Sequence, residues 1–320
     1  MAVPTLVTPD RKPVRWALGR LRAYSGDLQP PPAATSSPLD RALYGFSQPL
    51  LGIKVLLSDP ELLREALEPA ILLAAFCAVA AFIQPDTGSF WVARLKTFYK
   101  VFAALAPVPS IIFAKHYARL AALARWRLGF GVCGPREMPL SWSLKRALQQ
   151  LVLVYAGAFP FWLVIRAIPF LGRRVEWLVP MLWGLHWIVV DAFDDARILR
   201  PGETLRDAEE EDRRAPSPWF VRWNYAAAAR IPFPPLAGLL RWFARTTDRI
   251  ALVWRGEIAL MEANGAAAVG FSLSTAALLA TPVLNLLFRP VTIVAASHLL
   301  GHLESEHPAP NRLSGAETRS

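Results

Sequence analysis

The chain has 320 residues, 54% of them hydrophobic and 19% charged, and 35 Lys and Arg against 25 Asp and Glu give a formal charge of +10. This apolar share, with a mean hydropathy of +0.30, excludes an ordinary soluble domain as the first expectation. No nucleic-acid-binding motif accompanies the positive charge, so we read it as basic loops beside anionic lipid.

Residues 1–42 carry scattered Arg and Pro and never gather the apolar run of a secretory signal. The proline-rich stretch from Leu28 to Pro38 predicts a disordered tail over 1–42. The first membrane segment is expected at Pro69–Ile83, 15 residues without a charge. Val101–Ala114 is a second, broken by Pro107 and Pro109. Ala147–Ile165 and Trp177–Val190 form an antiparallel pair around a short turn with Arg173, Arg174 and Glu176. Ala263–Phe288 and Pro290–Leu303 form a last hairpin, interrupted by Pro282 and Pro290. The fold class expected is therefore all-α, a polytopic membrane protein of about six short or proline-broken segments in paired hairpins, with Pro69, Pro282 and Pro290 as structural breaks.

Seven basic residues between Lys115 and Arg146, against the single Glu137, mark the loop between segments two and three as cytoplasmic. Both termini then lie inside. A helical membrane domain spans 43–304, with a cytoplasmic helical insertion at about 197–262 and a disordered tail over 305–320. Within the insertion, apolar residues from Leu239 to Met261 recur at helical spacing and predict one 28-residue helix over Pro235–Glu262. Arg241, Arg245 and Arg249 stand four apart on another face, either a stripe for an anion or a solvated face.

Three groups could carry chemistry. Thr281–Pro290 places Asn285 and Arg289 between two prolines, where a broken helix can free backbone groups to hold an anion or simply make a capped turn. Asp191, Asp194 and Asp195 crowd one helix end and could hold Mg2+ against a diphosphate, as in membrane prenyltransferases, or pair with Arg197 and Arg200. His298 and His302 are four apart but lack the Glu that a zinc-protease pattern places directly after the first His, so no metal site is assigned. Cys77 and Cys133 are too few and too differently placed for a disulfide framework or cluster. No cofactor and no catalytic residue is expected, and the chain is not read as an enzyme.

Three blocks together resemble the etoposide-induced-protein family of membrane proteins, whose bacterial members include the CysZ-type sulfate permeases. They are Gly45–Phe76 with Pro60 and Pro69, Asp191–Arg197 followed by Gly202–Leu205, and Pro282–Asn285 with Pro290. The resemblance implies a bacterial inner-membrane protein with long helices extending into the cytoplasm, half-penetrating hairpins, a homo-oligomer and, for the permease branch, uptake of sulfate. The family's sulfate-binding turn carries a Gly, an aliphatic residue and two arginines after the first bracketing proline. Here Glu61, Leu62, Leu63 and Arg64 stand there, keeping only the second arginine. The substrate-binding residues expected on this resemblance are Arg64, Asn285 and Arg289, in an anion transporter or channel-like uptake protein. The alternatives are a non-transporting scaffold that binds membrane lipids or protein partners, and a Mg2+-dependent lipid transferase.

Overall fold

The computed structural model describes residues 13–33, 35–83, 90–104, 111–170, 172–280 and 287–306. It is all-helical apart from one two-residue ladder. Helix α1 (Pro13–Gly26) lies where the sequence predicts a disordered tail. Side-chain anchors order it: Tyr24 donates to Asp40 at 3.0 Å and Arg20 pairs with the same carboxylate at 3.4 Å. Asp40 belongs to α2 (Pro38–Ser58), which Ser37 opens by accepting the Asp40 N–H at 3.1 Å.

Asp59 then starts α3 (Pro60–Ile83), its carboxylate accepting the N–H groups of Glu61 and Leu62 at 2.9 and 3.2 Å. Pro69 does not break α3. It sits buried inside a continuous helix, where a proline removes one hydrogen bond without ending the element. At the far end the Arg94 guanidinium of α4 (Phe90–Ala104) donates to the carbonyl of Phe82 at 2.9 Å, satisfying the last turn of α3. The second expected segment straddles residues 105–110, outside the described residues, and α5 (Ala114–Arg127) follows.

Helices α6 (Leu140–Ala156) and α7 (Phe159–Arg166) run on as a rod of 27 residues, about 40 Å at 1.5 Å per residue. The single turn α8 (Gly172–Val175) leads into the antiparallel α9 (Leu178–Asp195), as the sequence predicts. Among the described residues, only α3 and the α6–α7 rod are long and apolar enough to cross a membrane. In each, 22% of the apolar window is buried, so most of it faces outward, which separates these helices from core helices of similar composition. Of the six segments expected, two are thus candidate spans among the described residues.

The last hairpin is not one of these two. In α14 (Gly265–Leu279) and α15 (Phe288–Glu306) most apolar residues pack inward, chiefly on α2, while Val269 and Leu273 are exposed. Ile293, Ala296, Leu300 and Phe271 are fully buried. Their hydrophobicity belongs to a protein core, which sequence composition alone does not distinguish from lipid exposure. The crossing is close: a Cβ on Gly45 would collide with the Ala267 carbonyl, and one on Gly270 with the Ala42 carbonyl. Glycine at these two positions lets the α2 and α14 backbones touch.

The insertion holds α10 (Leu205–Arg214), α11 (Trp219–Arg230), α12 (Pro234–Ala251) and α13 (Arg255–Ala263). The single 28-residue helix expected here is instead broken into α12 and α13 by a 3-10 turn at Leu252–Trp254.

Candidate functional site

The two-residue ladder pairs Gly134 with Leu199 and Pro135 with Ile198, antiparallel. The next position in register brings Arg136 opposite Arg197. Two buried arginines side by side need carboxylates, and three arrive from separate elements. Asp194, at the end of α9, accepts from Arg136 at 3.0 Å. Asp212, near the end of α10, meets Arg197 at 2.8 Å and Arg136 at 3.4 Å. Glu257, in the first turn of α13 and wholly buried, lies 3.4 Å from Arg197 and 3.8 Å from Arg136.

Arg146 of α6 completes the cluster at 2.5 Å from Asp194, with its guanidinium over the Trp254 ring at 5.1 Å. Three arginines and three carboxylates thus balance inside the protein. The 3-10 turn serves this cluster directly: it turns the Val253 carbonyl toward Arg146 (3.2 Å) and the Trp254 indole N–H toward Asp194 (3.2 Å). Gly256 follows because a Cβ there would strike the Asp212 carboxylate and the Arg197 guanidinium. That glycine inside an otherwise helical pattern was the one sequence signal of the break.

A second cluster lies one turn back along α9. Arg289 reaches Asp191 at 3.0 Å and Asp195 at 2.8 Å, stacks over Tyr117 at 5.6 Å, and shares Asp191 with the Gln150 amide at 3.0 Å. The aspartates therefore pair with Arg136, Arg146 and Arg289, not with the sequence-adjacent Arg197 and Arg200 that their spacing suggested. Arg200 instead binds Glu211 at 3.0 Å.

Of the three expected substrate residues, Arg64 and Arg289 are described, and they have different surroundings. Arg64 is exposed on α3 and makes no ion pair among the described residues. Arg289 is held by two carboxylates. Asn285 and Pro282 lie outside the described residues, and Pro290 sits in the first turn of α15, a position that suits proline. The turn after Pro60 is filled from within the protein: Asp59 caps the α3 N-terminus, Arg127 binds Asp59 at 3.0 Å, and Arg127 also pairs with Glu61. The His298 Nδ1 is 2.7 Å from Gln48 Oε1, and the His302 ring stands edge-on to it, their centroids 4.8 Å apart. Among the described residues no group of three or more His, Cys, Asp or Glu side chains is arranged to hold a metal ion.

No protein-family model, curated protein or solved structure matches this chain.

Asp212 is the titratable weak point of the larger cluster. Burial, then the neighbouring Glu257 carboxylate, push its pKa up to about 7 against the pull of Arg197 and Arg136. A carboxyl whose folded pKa is raised stabilises the fold fully below its unfolded pKa, and that contribution is lost as pH rises through the folded value. Thermal unfolding midpoints are therefore expected to fall from about pH 5 to about pH 8, and Asp212→Asn should flatten that slope. An unchanged slope in the variant would remove Asp212 as its cause.

Proposed function

We propose that this chain is an integral membrane protein that works at the cytoplasmic face of the bilayer, where its helical body engages anionic lipid or a protein partner. Helix α12 carries the reading because it has three distinct faces. Ala237, Ala244, Thr247 and Ala251 are buried against the body. Leu236, Leu239 and Trp242 are large, apolar and about half or more exposed on one flank. Arg241, Arg245 and Arg249 stand exposed on the other. At 3.6 residues per turn the apolar and cationic flanks lie on opposite sides of the buried stripe. An exposed apolar strip beside a row of arginines is the signature of a helix lying in a lipid headgroup region. Its packing on α11 and α6 places it next to the α6–α7 rod, one of the two candidate spans.

A nitroxide attached at Leu239→Cys, in a Cys77→Ser/Cys133→Ser background, tests this in liposomes containing anionic lipid. Collisions with oxygen should exceed those with a water-soluble nickel chelate at position 239, and the order should reverse for a label at Arg245→Cys. Water-like collision rates at both positions would sink the reading.

A second reading, anion uptake, is favoured by Arg64, an exposed cation without an ion pair among the described residues, one turn beyond the α2–α3 break. It predicts sulfate flux into proteoliposomes that Arg64→Ala lowers, whereas the first reading predicts flux equal to that of empty vesicles. A Mg2+-dependent transferase is not proposed, because Asp191, Asp194 and Asp195 each pair with arginine.

A further inference from the structure

A groove of about 750 Å³ opens between the first turns of α6 and the length of α10. Its walls carry Lys145, Arg206, Arg213 and Arg214 against Glu209 and Glu210, an excess of two positive charges (four minus two), together with Arg146, whose charge Asp194 already answers. The two glutamates are already committed, Glu209 to Arg213 at 3.6 Å and Glu210 to Arg214 at 2.6 Å. Lys145 and Arg206 are exposed and form no salt bridge among the described residues. At the inner wall is Arg146, only 6% exposed, whose Nη2 is spent on Asp194 and Val253. Its Nη1 and Nε are buried without any hydrogen-bond partner. Such donors are costly to leave unmade, and they belong to a side chain that lines the groove.

The wall also offers an acceptor. Gln149 Oε1 is buried and has no partner. Free cations, an unsatisfied guanidinium and a spare acceptor together fit a ligand with both a phosphate and hydroxyl groups. The position fits as well. Trp142 forms part of the groove in the first turn of α6, which has no acidic residue, where the helix dipole also favours an anion. The outward-facing Leu144, Leu148, Leu151 and Tyr155 begin on the same helix within one turn.

We infer that this groove is a binding site for a polyol phosphate, and that at the membrane surface its occupant is the headgroup of an anionic glycerophospholipid. The inference rests on the membrane-surface reading of the body, but it concerns α6 and α10 and not α12.

The test uses the purified full chain released from detergent into native mass spectrometry with phosphatidylglycerol or phosphatidylcholine, with sn-glycerol 3-phosphate as the soluble arm. Phosphatidylglycerol should be retained in preference to phosphatidylcholine. Lys145→Ala/Arg206→Ala should lower that retention by about tenfold, as expected for two lost charge-assisted contacts. Arg173→Ala/Arg174→Ala removes the same charge at the opposite end of the hairpin and should leave it unchanged. Both substituted pairs are exposed, and an unaltered unfolding midpoint confirms that the fold survives. Binding of sn-glycerol 3-phosphate with the same dependence on Lys145 and Arg206 would support the site and identify a soluble phosphate ester as an equal occupant. Equal retention of the two lipids, or equal loss from the two double variants, would overturn the proposal. Either result leaves the label measurements at Leu239 untouched, so the two readings fail separately.

Discussion

Arg136→Met is expected to destabilise the fold by about 3–5 kcal/mol, the range for removing one partner of a buried ion pair. Arg136 is 3% exposed and touches all three carboxylates of the larger cluster. Without it, Asp194, Asp212 and Glu257 face only Arg146 and Arg197, and one buried negative charge stays uncompensated above the pH at which Asp212 takes up a proton. The second substitution Asp212→Asn restores the balance at two against two. The double variant should therefore recover a substantial part of the loss, a coupling that a double-mutant cycle on thermal unfolding in detergent reads directly. Strict additivity would show that packing, and not charge balance, is what Arg136 provides. Replacing the ions by apolar residues of similar volume is a different experiment, because a fully neutral core can be as stable as a paired one.

Gly270→Leu is expected to be worse still. The side chain would have to enter the Ala42 backbone, and its next neighbour is the Phe46 amide nitrogen on the same helix. Overpacking against side chains costs about 1–3 kcal/mol because rotamers can shift. Here the obstacle is main chain, so the loss should exceed that range and appear as failure to recover folded protein. Gly19→Ala is the control: nothing lies within 4 Å of a Cβ there, on α1. It should hold or raise stability by up to about 1 kcal/mol through helix propensity. Equal behaviour of the two variants would mean that the α2–α14 crossing is not the constraint described.

The helical class and the α6–α9 hairpin were legible because each shows in local pattern: a long uncharged run, a basic turn at Arg173 and Arg174, and a return. The final hairpin was legible as two apolar helices, but not what they pack against, for a physical reason. Residues such as Ala267, Ala296 and Leu300 are equally apolar whether they face lipid or α2, and only tertiary contact decides between them. The α12–α13 break was hidden because Leu239 to Met261 keep helical spacing across it, while Gly256 alone hinted at crowding.

The aspartate cluster was legible as a set of residues but not as a network. Local spacing pointed to Arg197 and Arg200, yet Asp194 is bound by Arg136, 58 residues earlier, and Asp191 by Arg289, 98 residues later. The ladder that aligns Arg136 with Arg197 consists of Gly-Pro against Ile-Leu, a pairing that intrinsic strand propensity does not announce. The groove was equally invisible, since Lys145 and Arg206 come together only through tertiary packing.

The placement of α2 also bears on how the protein is made. Its Gln48 meets His298 of α15, 250 residues later, so α2 is covered by helices synthesised long after it. Until those helices emerge, α2 has α1 and α3 to pack on, while the face that α14 and α15 take stays open. The nascent protein therefore carries an open seam until they arrive. Closure of that seam joins elements far apart in sequence and is a long-range, slow step of the kind that high sequence separation imposes.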